Sequence, residues 1–102
     1  MFLLLLYIME TKLKDLLNCL GKFTSSSYNN SYKIDYYEYG NTCTSHNSLI
    51  GVFIKGKGYF FTRYHDYSKT TLKHCKKWCG MTVEERRKLI ESNSSKYISD
   101  YD

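Results

Sequence analysis

Leu6, Met9, Leu13, Leu16, Leu17 and Leu20 recur at three- and four-residue intervals, the spacing of one buried helix face. Glu10 and Lys14 pair one turn apart on the other side. This predicts a helix from about residue 8 to Cys19, with Gly21 as its stop. Phe2–Tyr7 reads as either a buried strand or an earlier helical turn. Thr24–Ser31 and Gly40–Asn47 lack apolar period and read as polar connections. Between them, Tyr32-Lys33-Ile34-Asp35-Tyr36 alternates, as a half-buried strand does. Leu49–Ile54 and Tyr59–Tyr64 are rich in β-branched and aromatic residues, and Lys55-Gly56-Lys57-Gly58 joins them as a tight hairpin. Helical spacing returns over Lys69–Cys79, with Leu72, Cys75 and Cys79 on one face, Trp78 beside them and Gly80 as the stop. Thr82-Val83-Glu84-Glu85 has the form of a capping box. It opens a helix to about Ser92 that turns Val83, Leu89 and Ile90 inward. The remaining polar tail frays unless Tyr97 and Ile98 dock.

Two stretches also echo one another. Asn18-Cys19-Leu20-Gly21-Lys22-Phe23 returns, with one insertion, as Asn47-Ser48-Leu49-Ile50-Gly51-Val52-Phe53. Tyr32, Tyr36, Glu38, Tyr39, Thr42 and His46 find counterparts in Phe60, Tyr64, Asp66, Tyr67, Thr70 and His74. Self-similarity of this kind suggests a duplicated unit. The expectation is a single α+β domain of two similar, weakly matching motifs with a groove between them. Motif 1 covers about residues 10–46 and motif 2 about 47–79, followed by a helix at 82–92 and a tail at 93–102.

A chain of 102 residues is one domain. Its charge of +5 changes the picture because it is uneven. Lys12, Lys14, Lys22 and Lys33 are balanced by Glu10, Asp15, Asp35 and Glu38, so the whole excess falls after residue 51. Such a basic half suits nucleic acid or an acidic partner, or is simply a solvated helix face. The apolar run Phe2–Met9 is too short to span a bilayer and has neither a basic flank nor a small-x-small cleavage site. It reads as core, so secretion and membrane insertion are not expected.

The 11 tyrosines carry the leading functional expectation, because Tyr offers large contact area with few torsions to freeze. Tyr36, Tyr39, Tyr64 and Tyr67, helped by Lys55 and Lys57, would line the groove and hold a protein or peptide. The alternative is nucleic-acid binding through Lys73, Lys76, Lys77, Arg86, Arg87 and Lys88, although Glu84, Glu85 and Glu91 dilute the second helix. A second alternative is a Cys/His zinc module built from Cys43, His46, His74, Cys75 and Cys79, whose spacing matches no strong zinc signature. Buried free thiols and a disulfide from Cys43 to a helix cysteine are the competing readings. No G-x-S-x-G, H-E-x-x-H or phosphate-binding glycine loop occurs. An enzyme is therefore not expected, nor is any cofactor or resident metal. A homodimer is compatible with the pattern.

Length, Tyr- and Lys-rich make-up and the paired blocks together give the chain a resemblance to small orphan proteins of filamentous viruses infecting hyperthermophilic archaea. An AT-rich mesophilic virus or phage would account for the composition equally well. The archaeal-virus resemblance implies expression in the host cytoplasm, a duplicated fold and a role in protein contacts.

Overall fold

The computed structural model describes residues 10–101, so the expectations for Phe2–Met9 lie outside the described residues. Helix α1 spans Leu13–Asn18. Five strands follow: β1 Phe23–Asn29, β2 Tyr32–Tyr37, β3 Gly40–Ser45, β4 Ser48–Ile54 and β5 Gly58–Phe61. A 3-10 turn at Arg63–Asp66 leads to α2, Lys69–Cys79, and α3, Val83–Ser92. The strands form one antiparallel meander in the order β1-β2-β3-β4-β5. Within the meander each strand pairs with its neighbours in sequence, a topology that needs nothing but short turns. The domain is α+β, as its pattern predicts.

Local chemistry accounts for the elements. Ser68 and Thr71 cap α2 reciprocally, and Gly80 closes it at φ 77°. The capping box at Thr82 and Glu85 forms as expected, with Thr82 N–H donating to Glu85 Oε1 at 2.8 Å and Glu85 N–H to Thr82 Oγ1 at 3.2 Å. His46 and Asn47, at φ 50° and 67°, give the β3–β4 connection its two left-handed central residues.

The sheet buries side chains on both faces. Leu16, Leu20, Val52, Ile54, Phe60 and Ile98 form one cluster, beneath α1 and the chain end. Tyr32, Cys43, Ile50, Phe61 and Cys75 form the other, joined by Trp78, Leu89 and Ile90 from α2 and α3. A bulge in the β3–β4 ladder, where Cys43 faces Gly51 and Thr44 faces Leu49, leaves Ile50 as the extra residue. Gly51 then lies under Trp78, where an added Cβ would meet the ring at 2.9 Å and Phe60 O at 2.4 Å. The tail docks rather than frays: Ile98 is buried, and its N–H donates to Phe61 O at 2.8 Å.

Three expectations need correction. Thr24–Ser31 is largely strand β1 and Gly40–Asn47 largely strand β3. The first helix begins only at Leu13, because Thr11 bridges to Ile98 instead. The two echoing blocks do not share a backbone course. Asn18–Phe23 runs from the end of α1 into β1, whereas Asn47–Phe53 is a turn and strand β4. Tyr36 and Thr42 are on strands, but Tyr64 is in the 3-10 turn and Thr70 and His74 are in α2. Turn and capping signals local to each segment outweigh the residue matches, and no duplicated unit stands in the described fold.

The most constrained contact joins α3 to the rest. Arg86 is fully buried. Its Nε donates to His65 Nδ1 at 3.0 Å, Nη2 to His65 O at 3.0 Å, and Nη1 to Met81 O at 2.7 Å. Burial lowers the His65 pKa from 6.5 to about 4; the Asp66 carboxylate opposes it, and the Arg86 and Arg87 charges add weaker lowering pulls. A base with a depressed folded pKa stabilises the fold above its unfolded value and loses that contribution as pH falls. Stability measured by urea unfolding should therefore decline between pH 6.5 and about 4, and His65→Gln should flatten that slope. Arg86→Met strands three acceptors and should cost about 3 kcal/mol or more. A loss below about 0.5 kcal/mol, the scale of an ordinary surface change, would contradict the role assigned to this contact.

Candidate functional site

Helix α2 turns Thr71 and Cys75 into the core, which leaves Lys69, Lys73, Lys76 and Lys77 exposed on its outer side. At a rise of about 1.5 Å per residue this row is about 12 Å long. The helix contains no acidic residue. On one flank a cavity of about 330 Å³ separates Thr70, Lys73, His74 and Lys77 from the β1–β2 turn, Asn29–Tyr32. An adjoining cavity of about 440 Å³ is lined by Tyr28, Asn30, Ser31, Lys33, Thr44, His46 and Asn47. The two share Asn30 and Ser31, and no carboxylate lines either. On the other flank, Lys69, Lys73 and Lys76 border a third cavity against Thr82 and Val83.

Two histidines stand where these first cavities meet. Ser45 Oγ and His74 Nδ1 are 2.7 Å apart, and Ser31 Oγ and His46 Nε2 are 3.3 Å apart. The His46 and His74 rings stack at 6.3 Å, and His74 also lies 4.9 Å from the Tyr32 ring. Burial lowers the His74 pKa, and the neighbouring His46, Lys77 and Lys73 lower it further. Ser45 is fully buried, so its hydroxyl orients the imidazole rather than meeting a substrate. The site is thus cationic and partly aromatic.

The tyrosines expected to share one groove lie at opposite ends of the sheet. Tyr36 and Tyr39 stand at the β2–β3 turn beside Lys55, whose N–H donates to Tyr39 O at 2.9 Å, with Lys57 on the adjacent β4–β5 turn. Tyr64 and Tyr67 follow β5 at the other end, where Tyr64 packs on Tyr67 and Tyr101. A meander that alternates direction separates them, and none of the four lines the cavities above. Of the basic set, Lys73, Lys76 and Lys77 are assembled on α2 and Lys88 is exposed on α3. Arg86 is inaccessible, and Arg87 is bound to Asp66 at 3.1 Å.

Zinc ligation has no shell here: no three His, Cys, Asp or Glu side chains converge among the described residues. Cys43 and Cys75 face the core while both imidazoles turn to serine hydroxyls. All four cysteines are free thiols. Burial raises Cys43 to about 12. The Cys75 thiol's hydrogen bond lowers Cys79 to about 6, helped by the Met81 backbone and Arg86.

Tyr28, Ser31 and Lys33 were not among the expected site residues. The turn pair Asn30-Ser31 between Asn29 and Tyr32 is the signal that could have located them. No helix of the described residues is long and apolar enough to cross a membrane.

Residues 15–94 match the model of the Family of unknown function (DUF8033). No curated protein and no solved structure matches the chain.

The electrostatics of this site can be checked directly. His74 should titrate below an ordinary imidazole in an NMR pH series, and Lys77→Gln should move its midpoint upward. An unchanged midpoint would mean that the lysine row does not act on the cavity.

Proposed function

The chain belongs to the DUF8033 family, and on that footing we propose that it is a non-catalytic nucleic-acid-binding protein that grips phosphates through helix α2. The lysine row carries this reading. A solvated helix face ordinarily mixes both signs, as α3 does with Glu84, Glu85 and Glu91 among Arg87 and Lys88. Helix α2 instead presents Lys69, Lys73, Lys76 and Lys77 without a carboxylate, and cavities flank the row on both sides. Compared with the sequence-based alternative, the interface moves from the paired C-terminal helices to α2 and the β1–β2 turn. The viral, host-cytoplasmic setting implied by the sequence resemblance belongs to the same proposal.

A second reading is favoured by strand β1. Among the described residues it is an edge strand with all seven residues exposed and only β2 as its sheet partner. An extended peptide could add along its outer edge by main-chain hydrogen bonding. Capture of a peptide with protection of β1 amides, in the absence of nucleic-acid binding, would favour this role.

Fluorescence anisotropy with labelled DNA across a salt series tests the first reading. Four phosphate contacts predict a log–log salt slope between about −3 and −4. Lys73→Glu with Lys77→Glu should weaken binding at least about tenfold, since two attractions become repulsions. Lys55→Glu with Lys57→Glu, at the far end of the sheet, should change it by no more than about twofold. Absence of binding at about 50 mM salt, where phosphate contacts act most strongly, would overturn the proposal. Indifference to the Lys73/Lys77 pair would do so equally.

A further inference from the structure

We propose that the cavity pair at the β1–β2 turn makes this surface selective for single-stranded nucleic acid, one base stacking on Tyr28 while a neighbouring phosphate lies among Lys73, His74 and Lys77. The inference rests on the α2 reading and adds the form of the ligand. Tyr28 is 71% exposed on a strand that buries none of its residues, so core packing does not account for the ring. Lys33, its cross-strand partner, places Nζ over the ring, 5.5 Å from its centroid, and 3.5 Å from Asp35 Oδ2. Tyr28 therefore stands as an exposed aromatic plane with a cation over one face and the other face for a base to stack on.

The ring opens onto the cavity that contains Lys33, Ser31 and His46. Through Asn30 and Ser31 that cavity continues into the one bearing Lys73, His74 and Lys77. Each has the volume of a small-molecule site. Aromatic plane, polar turn and cationic wall follow one another in the order base, sugar and phosphate. A duplex cannot use this arrangement, because its base faces are covered by their neighbours and its phosphates lie on a stiff cylinder. A single strand offers free base faces and a backbone supple enough to enter. The polar rim supplies groups for that backbone: the Asn30 amide, the Ser31 hydroxyl and the ring nitrogens of His46 and His74 that their serine partners leave unused.

Anisotropy titrations of the full chain with oligothymidylate, and with the same oligomer annealed to its complement, test this. The single strand should bind about tenfold more tightly, the scale of one stacked base. Tyr28→Ala should remove that advantage while duplex affinity stays level, and Tyr28→Phe should keep it because the ring remains. Tyr28→Leu should lose the advantage despite its apolar bulk, and an unchanged circular dichroism spectrum would exclude loss of the hairpin. In an NMR titration with oligothymidylate, His74 ring signals should shift. Equal affinity for both forms, together with an inert Tyr28→Ala, would overturn the single-strand inference and leave phosphate gripping by α2 standing. No binding of either form would overturn both.

Discussion

The fold turns on burying a guanidinium without a carboxylate to neutralise it. Arg86 donates to two carbonyls and one imidazole nitrogen, and it also lies beside the Cys79 thiol, whose pKa it helps to lower. A buried charge is tolerated when its donors are met, and costs several kcal/mol, on the order of 3 to 5, when they are not. The arrangement requires a neutral His65 with an unprotonated Nδ1, and the ring's surroundings supply that by holding its pKa at about 4. His65 belongs to the turn after β5, Met81 to the α2–α3 connection, and Arg86 to α3. One side chain thereby ties α3 and the α2–α3 connection to the turn after β5. Asp66 lies beyond this network, 3.8 Å from His65 Nε2 and 3.1 Å from Arg87. It is occupied there and does not line the two cavities beside the β1–β2 turn.

Much of this fold was legible because α2, α3 and the β4–β5 hairpin carry their own start and stop signals. The Thr82/Glu85 box and Gly80 act within a few residues of themselves, so tertiary context has little to override. Strands β1 and β3 were not legible for the opposite reason. Phe23–Asn29 is Ser- and Thr-rich and wholly exposed, so no apolar alternation marks it; pairing with β2 makes it a strand. Gly40–Ser45 is central yet polar, and its small residues suit a crowded layer. A Cβ on Gly40 would strike Phe53 O at 1.9 Å, and Thr42 and Ser45 are buried. Burial of Arg86 was equally hidden, since the charge pattern of α3 reads as surface.

The site was half visible. Lys73, Lys76 and Lys77 could be read from helical spacing, because a helix face is a local property. Their convergence with Asn30, Ser31 and His46 depends on β1 and β3, whose sequences read as polar connections. The residue matches point to Tyr36, Tyr39, Tyr64 and Tyr67, which the meander places at opposite ends. Residue matches between segments count for little when a turn in one copy aligns with a helix in the other.

The lysine row has a cost that bears on its purpose. Lys69 with Lys73, and Lys73 with Lys77, are like charges one turn apart, each pair unfavourable by about 0.2 to 0.5 kcal/mol. Lys69 also sits in the first turn, where the helix dipole disfavours a cation, while Lys76 and Lys77 gain from the opposite end. The neighbouring His74 is held neutral rather than recruited as a further charge. Glutamate at one of these positions would have relieved the repulsion without touching the core, since all four side chains point outward. In the proposed role, a bound polyanion would offset these terms: it would pair the lysines, favour the protonated form of His74 and stabilise the folded chain by mass action. On that proposal, the repulsion in the free protein and the affinity for a polyanion would have one electrostatic origin.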